Sequence, residues 1–525
     1  MDISKIKLYK LILITIGLAV VVMGIVLFFI PPALNPDPGE GFQVLRSMQL
    51  GSAFNNFVRP DQSDISQNYT VFLTWWSPGQ YFVPYLFKLI VGLNTGKAIA
   101  LTVTICELSG LAGFYVFFKK IGFTPIISTI SLVFIICQQA FVTPYVYYNG
   151  GEILLFAFLG WFLYGCLILK KPGAGLILFI LFSGLIGFFL KSSFLWMYAA
   201  GLCCLWIKLS SNGQGIGTWI KKALWIGIPA ALSLAVIYIF FISKGESPAS
   251  NAIGFKLTTQ ALSFPLASPI LAGFSIDDLF HGPIYHTWKP VFNSESGAII
   301  LILMTLPCIL LVLSINRYVP DNNYRLFLNI FYLAAILFFG FSYLRQFDIS
   351  YESRHFRIIG LLVTPGVIYL VSKFKPFYRF LFVLVVIGIA LNSFIDLING
   401  FKVNSLSAKG ISGIAQVEID QPSLNHIMKL DRENRNAIFV FLWGEIGLEV
   451  LHNRIITLLP IDDSLKIDMD DYTYDGFAGP LYIVLPESYN GPKEKMIMKS
   501  FTGYAGWHES MLSNNFVLYE AKMKR

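Results

Sequence analysis

The chain has 525 residues, of which 55% are hydrophobic and only 13% charged, with a mean hydropathy of +0.64. Soluble domains carry about a quarter charged residues, so this composition excludes a soluble globular protein and predicts a polytopic membrane protein. The formal charge of +8 is no argument for nucleic-acid binding, because in a membrane protein the side on which positive residues fall matters more than their sum. Cys106, Cys137, Cys166, Cys203, Cys204 and Cys308 all lie inside apolar runs, which predicts buried thiols and gives no support for a disulfide framework or a metal cluster.

The first apolar run, 8–30, follows Lys5, Lys7 and Lys10. No small-residue cleavage site follows it, so it reads as an uncleaved anchor that crosses the bilayer. Directly after it comes Pro31-Pro-Ala-Leu-Asn-Pro-Asp37-Pro-Gly-Glu40-Gly-Phe42. Prolines and glycines break the helix there and predict a turn, with Asp37 and Glu40 close to the membrane surface. Such acids invite a catalytic role; they also suit the start of a following helix.

Further crossings are predicted at 97–118, 124–143, 151–169, 174–190, 192–208, 223–243, 297–315, 326–343, 358–372 and 380–399, about eleven in all. The stretch 78–93 is apolar but short and contains Pro78 and Pro84. If it lies flat on the outer surface, the paired lysines 119–120, 170–171 and 221–222 all fall in short inner connections, as the positive-inside bias requires. That choice puts the N-terminus inside and the C-terminus outside. It leaves 31–96, 244–296 and 343–357 as outer segments long enough to build a site.

Several residues on those outer faces could carry chemistry. Asp61 and Asp64 read as solvated loop acids. Trp75, Trp76 and Tyr81 form an aromatic cluster suited to an interfacial belt or to contact with sugar or isoprenoid. Glu152, after Tyr147-Tyr148-Asn-Gly-Gly, opens an apolar span, suits a helix start and could converge with Asp37 on one site. Lys191 interrupts an apolar tract as an isolated outer cation, placed for snorkelling or for a lipid phosphate. His281 and His286, five apart across Gly-Pro, lack the spacing of a helical metal pair. Arg354 and Arg357, three apart at the mouth of a span, could share a face and grip phosphate; His355 lies between them.

The pattern resembles the GT-C superfamily of polytopic glycosyltransferases, which includes protein O-mannosyltransferases and aminoarabinose transferases. The resemblance rests on Pro-Asp37-Pro-Gly-Glu40-Gly in the first outer loop and on Trp76-Ser-Pro78-Gly-Gln-Tyr81 opening a juxtamembrane helix. It extends to Leu190-Lys191-Ser-Ser, and to Arg354-His355-Phe356 running on to Pro365, where His355 stands in place of the usual tyrosine. It implies transfer of a sugar from a polyprenyl-phosphate donor to a lipid, glycan or protein acceptor, usually with inversion. Asp37 would act as general base with Glu40 as support or alternative. Lys191, Arg354 and Arg357 would hold the donor phosphate, Glu152 would orient the acceptor or bind a metal, and metal dependence stays open. The alternatives are a lipid-linked saccharide flippase or a non-catalytic assembly protein. The resemblance also implies a location in the bacterial inner membrane.

Past residue 400 the composition becomes that of a soluble domain. Apolar runs at 437–442, 454–459, 481–485 and 516–520 predict strands, and 447–452 and 493–500 predict helices. The expected architecture is an all-α membrane domain, 1–399, with juxtamembrane helices in the first outer loop, followed by a small α/β extracytoplasmic domain, 400–525.

Overall fold

Helix placement follows the hydropathy closely in the computed structural model, which describes residues 3–211, 215–245, 254–274, 276, 294–462, 465 and 469–523. The helices in chain order begin with α1 (Ile3–Phe29), α2 (Pro36–Gln49), α3 (Gly79–Val91), α4 (Thr95–Lys120), α5 (Pro125–Ile136) and α6 (Gln139–Val146). Next come α7 (Gly151–Ile168), α8 (Ala174–Leu190), α9 (Phe194–Ser210), α10 (Ile216–Phe240), α11 (Thr259–Phe274) and α12 (Ser294–Tyr318). The series closes with α13 (Asn322–Leu344), α14 (Arg357–Lys373), α15 (Pro376–Leu406), α16 (Gln421–Glu433) and α17 (Pro492–Lys499).

Among the described residues, eight helices are long and apolar enough to cross a membrane, and α5 with α6, bent by 50°, makes a ninth. The shorter apolar helices α8 and α9 account for the remaining two of the eleven expected segments. α3 has 13 residues. At about 1.5 Å per residue it reaches roughly 20 Å, short of the ~30 Å hydrocarbon core, as its reading as a non-spanning helix requires.

One outer connection differs from expectation. Within 244–296 the chain forms α11, which holds Pro265 and Pro269. Its Ala261, Ala267 and Leu271 are fully enclosed, and it packs on α12, α13 and α14. A short run punctuated by two prolines reads as loop; burial of its apolar face overrides that. α11 and α14 touch backbone to backbone: a methyl group on Gly360 would lie 2.1 Å from the Ala272 carbonyl. His281 and His286 lie outside the described residues.

The chain divides into two units. The first comprises Met1–Met23, Val103–Pro144 and Gly151–Leu397, and the second Gly24–Thr102, Tyr145–Gly150 and Ile398–Arg525. The second unit therefore unites the loop after α1 with the C-terminal residues.

Strands β1 (Ala33–Leu34), β2 (Asn56–Pro60), β3 (Asn68–Phe72), β4 (Tyr147–Tyr148), β5 (Ile438–Phe441), β6 (Arg454–Thr457), β7 (Leu481–Pro486), β8 (Tyr504–Met511) and β9 (Phe516–Met523) all belong to the second unit. Its main sheet has the order β6-β5-β7-β9-β8, parallel across β6-β5-β7 and antiparallel beyond. Both faces are covered. Ile438 and Val440 point into a core with Ile483, Ile497 and Phe501, while Phe439 and Phe441 point into another with Leu424 and Ile427 of α16. Double burial explains why β5 reads as a continuous apolar run. The half-exposed β8 and the polar α16 carry no such run and went unread, and the helix expected at 447–452 is a 3₁₀ segment, Gly444–Glu449.

Arg46 of α2 ties the loop to the sheet. It is 7% exposed and donates from Nε to the Val450 carbonyl at 2.7 Å and from Nη2 to the Asn453 carbonyl at 2.5 Å. Two buried carbonyls lose their donor in Arg46→Ala, which is expected to destabilise the second unit by roughly 2–5 kcal/mol. Limited proteolysis of residues 400–525 in the intact protein reads this directly, and an unchanged cleavage rate would refute it.

Candidate active site

The acidic turn opens α2. Asn35 caps the helix, its side chain accepting from the Asp37 N–H at 3.4 Å, and its own N–H donates to the Tyr148 carbonyl at 3.2 Å. Pairing of β1 with β4 holds the same edge. Asp37 and Glu40 therefore sit in the first turns of a helix, where the backbone N–H groups favour negative charge.

Glu40 keeps contact with water, yet burial by surrounding protein, then the charges of Asp37 and Glu445, push its carboxyl up to about 7 against the pull of Arg59. Glu445 is a neighbour that sequence reasoning missed. It lies on the 3₁₀ segment after β5, and a methyl group on Gly39 would meet its Oε1 at 3.5 Å. Burial, then the Glu418 charge, raises Glu445 to about 7 as well, although its own backbone hydrogen bond opposes this. Nothing local marks Glu445, which stands some four hundred positions away in sequence. Gln80 closes the turn from α3: it is 4% exposed, its Nε2 has no hydrogen-bond partner, and a methyl on Gly41 would approach that nitrogen to 2.9 Å.

The first unit gathers the expected cations. Lys191 ends α8 in extended conformation, and Glu152 lies in the first turn of α7. Gly151 lets the two backbones meet, since a side chain there would press to 3.1 Å on the Leu190 carbonyl. Glu152 Oε1 accepts from Lys191 Nζ at 2.5 Å and lies 3.5 Å from Arg354 Nη1. Arg354, on the 3₁₀ turn Ser353–Phe356, also pairs with Glu352. Exposure is ordered: 26% for Arg354 and 21% for Lys191, but 12% for Glu152. The cations thus stand outward of the carboxylate that holds them together.

The remaining expected residues are placed as follows. His355 faces Ser350 Oγ at 3.3 Å and packs on Phe339. The Arg357 guanidinium lies 5.8 Å from the Phe156 ring centre. Trp75 and Trp76 lie side by side, half-buried, in the second unit. Tyr81 is wholly enclosed and donates its hydroxyl to Asn55 Oδ1 at 2.7 Å, so in this conformation it packs and offers no surface to sugar or lipid. Asp61 and Asp64 are lowered by hydrogen bonds from Ser63 and Ser66 and serve their own loop. Among the described residues, no three His, Cys, Asp or Glu side chains gather as ligands for a metal ion.

The architecture is similar to that of a solved structure over nearly all of this chain. An arginine-to-serine variant of the arabinofuranosyltransferase AftD from Mycobacteria superposes with a TM-score of 0.50, at 13% identity, over 97% of this chain. The chain has a GT-C fold. It spans only 41% of the length of AftD. ArnT from Cupriavidus metallidurans, in its apo state, aligns over 97% of both chains at 12% identity and a TM-score of 0.47. No protein-family profile and no curated protein matches the sequence. Within this GT-C chain the first loop carries its acids on α2 and is followed by the short helix α3, in the order the sequence motifs imply.

Proposed function

We propose that the protein is a membrane glycosyltransferase that moves a sugar from a polyprenyl-phosphate donor to an acceptor hydroxyl or amine at the outer face of a bacterial inner membrane. The observation that carries this reading is the tuning of the Glu40 carboxyl on α2. A general base works best with a pKa near the operating pH, and Glu40 lies at about 7.

In the proposed reaction Glu40 takes the acceptor proton as the acceptor oxygen or nitrogen attacks the anomeric carbon. Asp37 is the adjacent negative charge that keeps the proton affinity of Glu40 high. The bond from the anomeric carbon to the phosphate oxygen breaks, and polyprenyl phosphate leaves with the electron pair. Lys191 and Arg354 meet the charge that develops on it, while Glu152, less exposed than either, holds the two cations in place. A single displacement of this kind inverts the anomeric centre. The fold shared with AftD, and the activity in that protein's name, support the reaction class.

The test is release of polyprenyl phosphate by the purified chain in nanodiscs, given a panel of polyprenyl-phosphate sugars with and without lipid, glycan and peptide acceptors. Acceptor-dependent release is expected with one pairing. Movement of the lipid-linked sugar between leaflets with no release would overturn the reading in favour of a flippase.

A further inference from the structure

Arg357 was expected to grip the donor phosphate together with Arg354, yet its surroundings suit a different task. It lines a cavity of about 20 Å³ with Gln138, Gly360 and Thr364, room for a single water-sized molecule and too little for a phosphate. The Phe156 ring under its guanidinium also packs on α4, where a methyl group on Gly110 would meet the ring at 2.3 Å; one turn away on α4 lies Glu107, which is 1% exposed and accepts no hydrogen bond at either carboxylate oxygen. An ionisable group so enclosed within a membrane bundle is costly unless an opposite charge faces it. α7 is engaged twice by the start of α14. Glu152 meets Arg354, and one turn further along the same face Phe156 lies beneath Arg357.

We infer that Glu107 and Arg357 form a charge pair inside the membrane bundle that fixes the start of α14 against α7, and so sets Arg354 against Glu152. Both are positioning residues, and their link to donor binding rests on the glycosyltransferase reading above. Arg357 is a strut, not a phosphate ligand.

The test is a pair of double-mutant cycles in the full-length protein. In melting temperature, Glu107→Gln and Glu152→Gln each lower stability, and the double variant loses clearly less than the sum, because the two act through one chain of contacts. In binding of a polyprenyl phosphate to protein in nanodiscs, Glu107→Gln and Arg357→Gln each weaken affinity about tenfold, as coupled neighbours do. The variant carrying both neutral residues is no weaker than either alone. During turnover the donor KM rises while kcat stays within about threefold, the signature of lost ground-state positioning. Additive melting losses overturn the inference, as does loss of phosphate affinity in Arg357→Gln with none in Glu107→Gln. Should a single variant fail to fold, the doubly neutral variant decides: wild-type affinity there removes the pair from donor binding. A wild-type protein that binds no polyprenyl phosphate counts against the functional reading alone, since the melting cycle still scores the pair.

Discussion

Glu40→Gln is expected to lower the rate of sugar transfer by about 10²–10⁴-fold, the range for removal of a positioned general base, while membrane abundance stays unchanged. The glutamine keeps the shape of the side chain but cannot accept the acceptor proton. The pH dependence follows from the same group. With Glu40 raised to about 7, the carboxylate is scarce below that pH and abundant above it, so kcat/KM should rise with pH and level off past about 7. Asp37 raises the proton affinity of Glu40 through its charge. Asp37→Asn removes that charge, so Glu40 ionises more readily and the rising limb moves to lower pH. Glu445→Gln should move the limb in the same direction, because its carboxylate also opposes ionisation of Glu40. As the groups interact, each limb reports an apparent value for the cluster. A pH profile of kcat/KM for the wild type and the three variants checks all of this. Full activity in Glu40→Gln, with loss only in Asp37→Asn, would transfer the role of base to Asp37.

Lys191→Met and Arg354→Gln are each expected to lower kcat about 10²–10³-fold, the scale for removing one donor to a developing negative charge. The loss belongs in kcat because charge on the leaving phosphate grows towards the transition state. Glu152→Gln behaves differently. It leaves Lys191 and Arg354 facing each other without the carboxylate that joins them, and breaking such a buried pair costs roughly 3–5 kcal/mol. The variant should melt earlier and bind polyprenyl phosphate more weakly, since the cations lose the carboxylate that positions them. Steady-state kinetics on a polyprenyl-phosphate donor, with melting curves and phosphate titrations, separate these effects. Tighter phosphate binding in Glu152→Gln would show that the carboxylate competes with the donor phosphate instead of positioning the cations.

Much of this was open to reading along the chain. A long apolar run has one stable fate in a bilayer, so helices such as α1, α4 and α7 follow from hydropathy. Lys191 stood out because a lone cation on the outer side of a span runs against the positive-inside bias. Arg354 was flagged by the same logic, and the two do meet at Glu152. The fate of Arg357 was not legible. Three residues of separation suggest one shared face, but the Phe156 ring over which the Arg357 guanidinium lies comes from α7, about two hundred positions away in sequence.

The sequence by itself determined the membrane class, the order of crossings, the soluble character of the C-terminal residues and the acids at the start of α2, because each is a property of local composition and spacing. Only the tertiary structure decided that α11 is a packed helix, that Tyr81 is enclosed, that Glu445 stands beside Gly39 and that Arg357 lies over Phe156. Those outcomes depend on contacts between distant segments and on the burial they create. That burial, together with neighbouring charge, gives Glu40 its raised proton affinity.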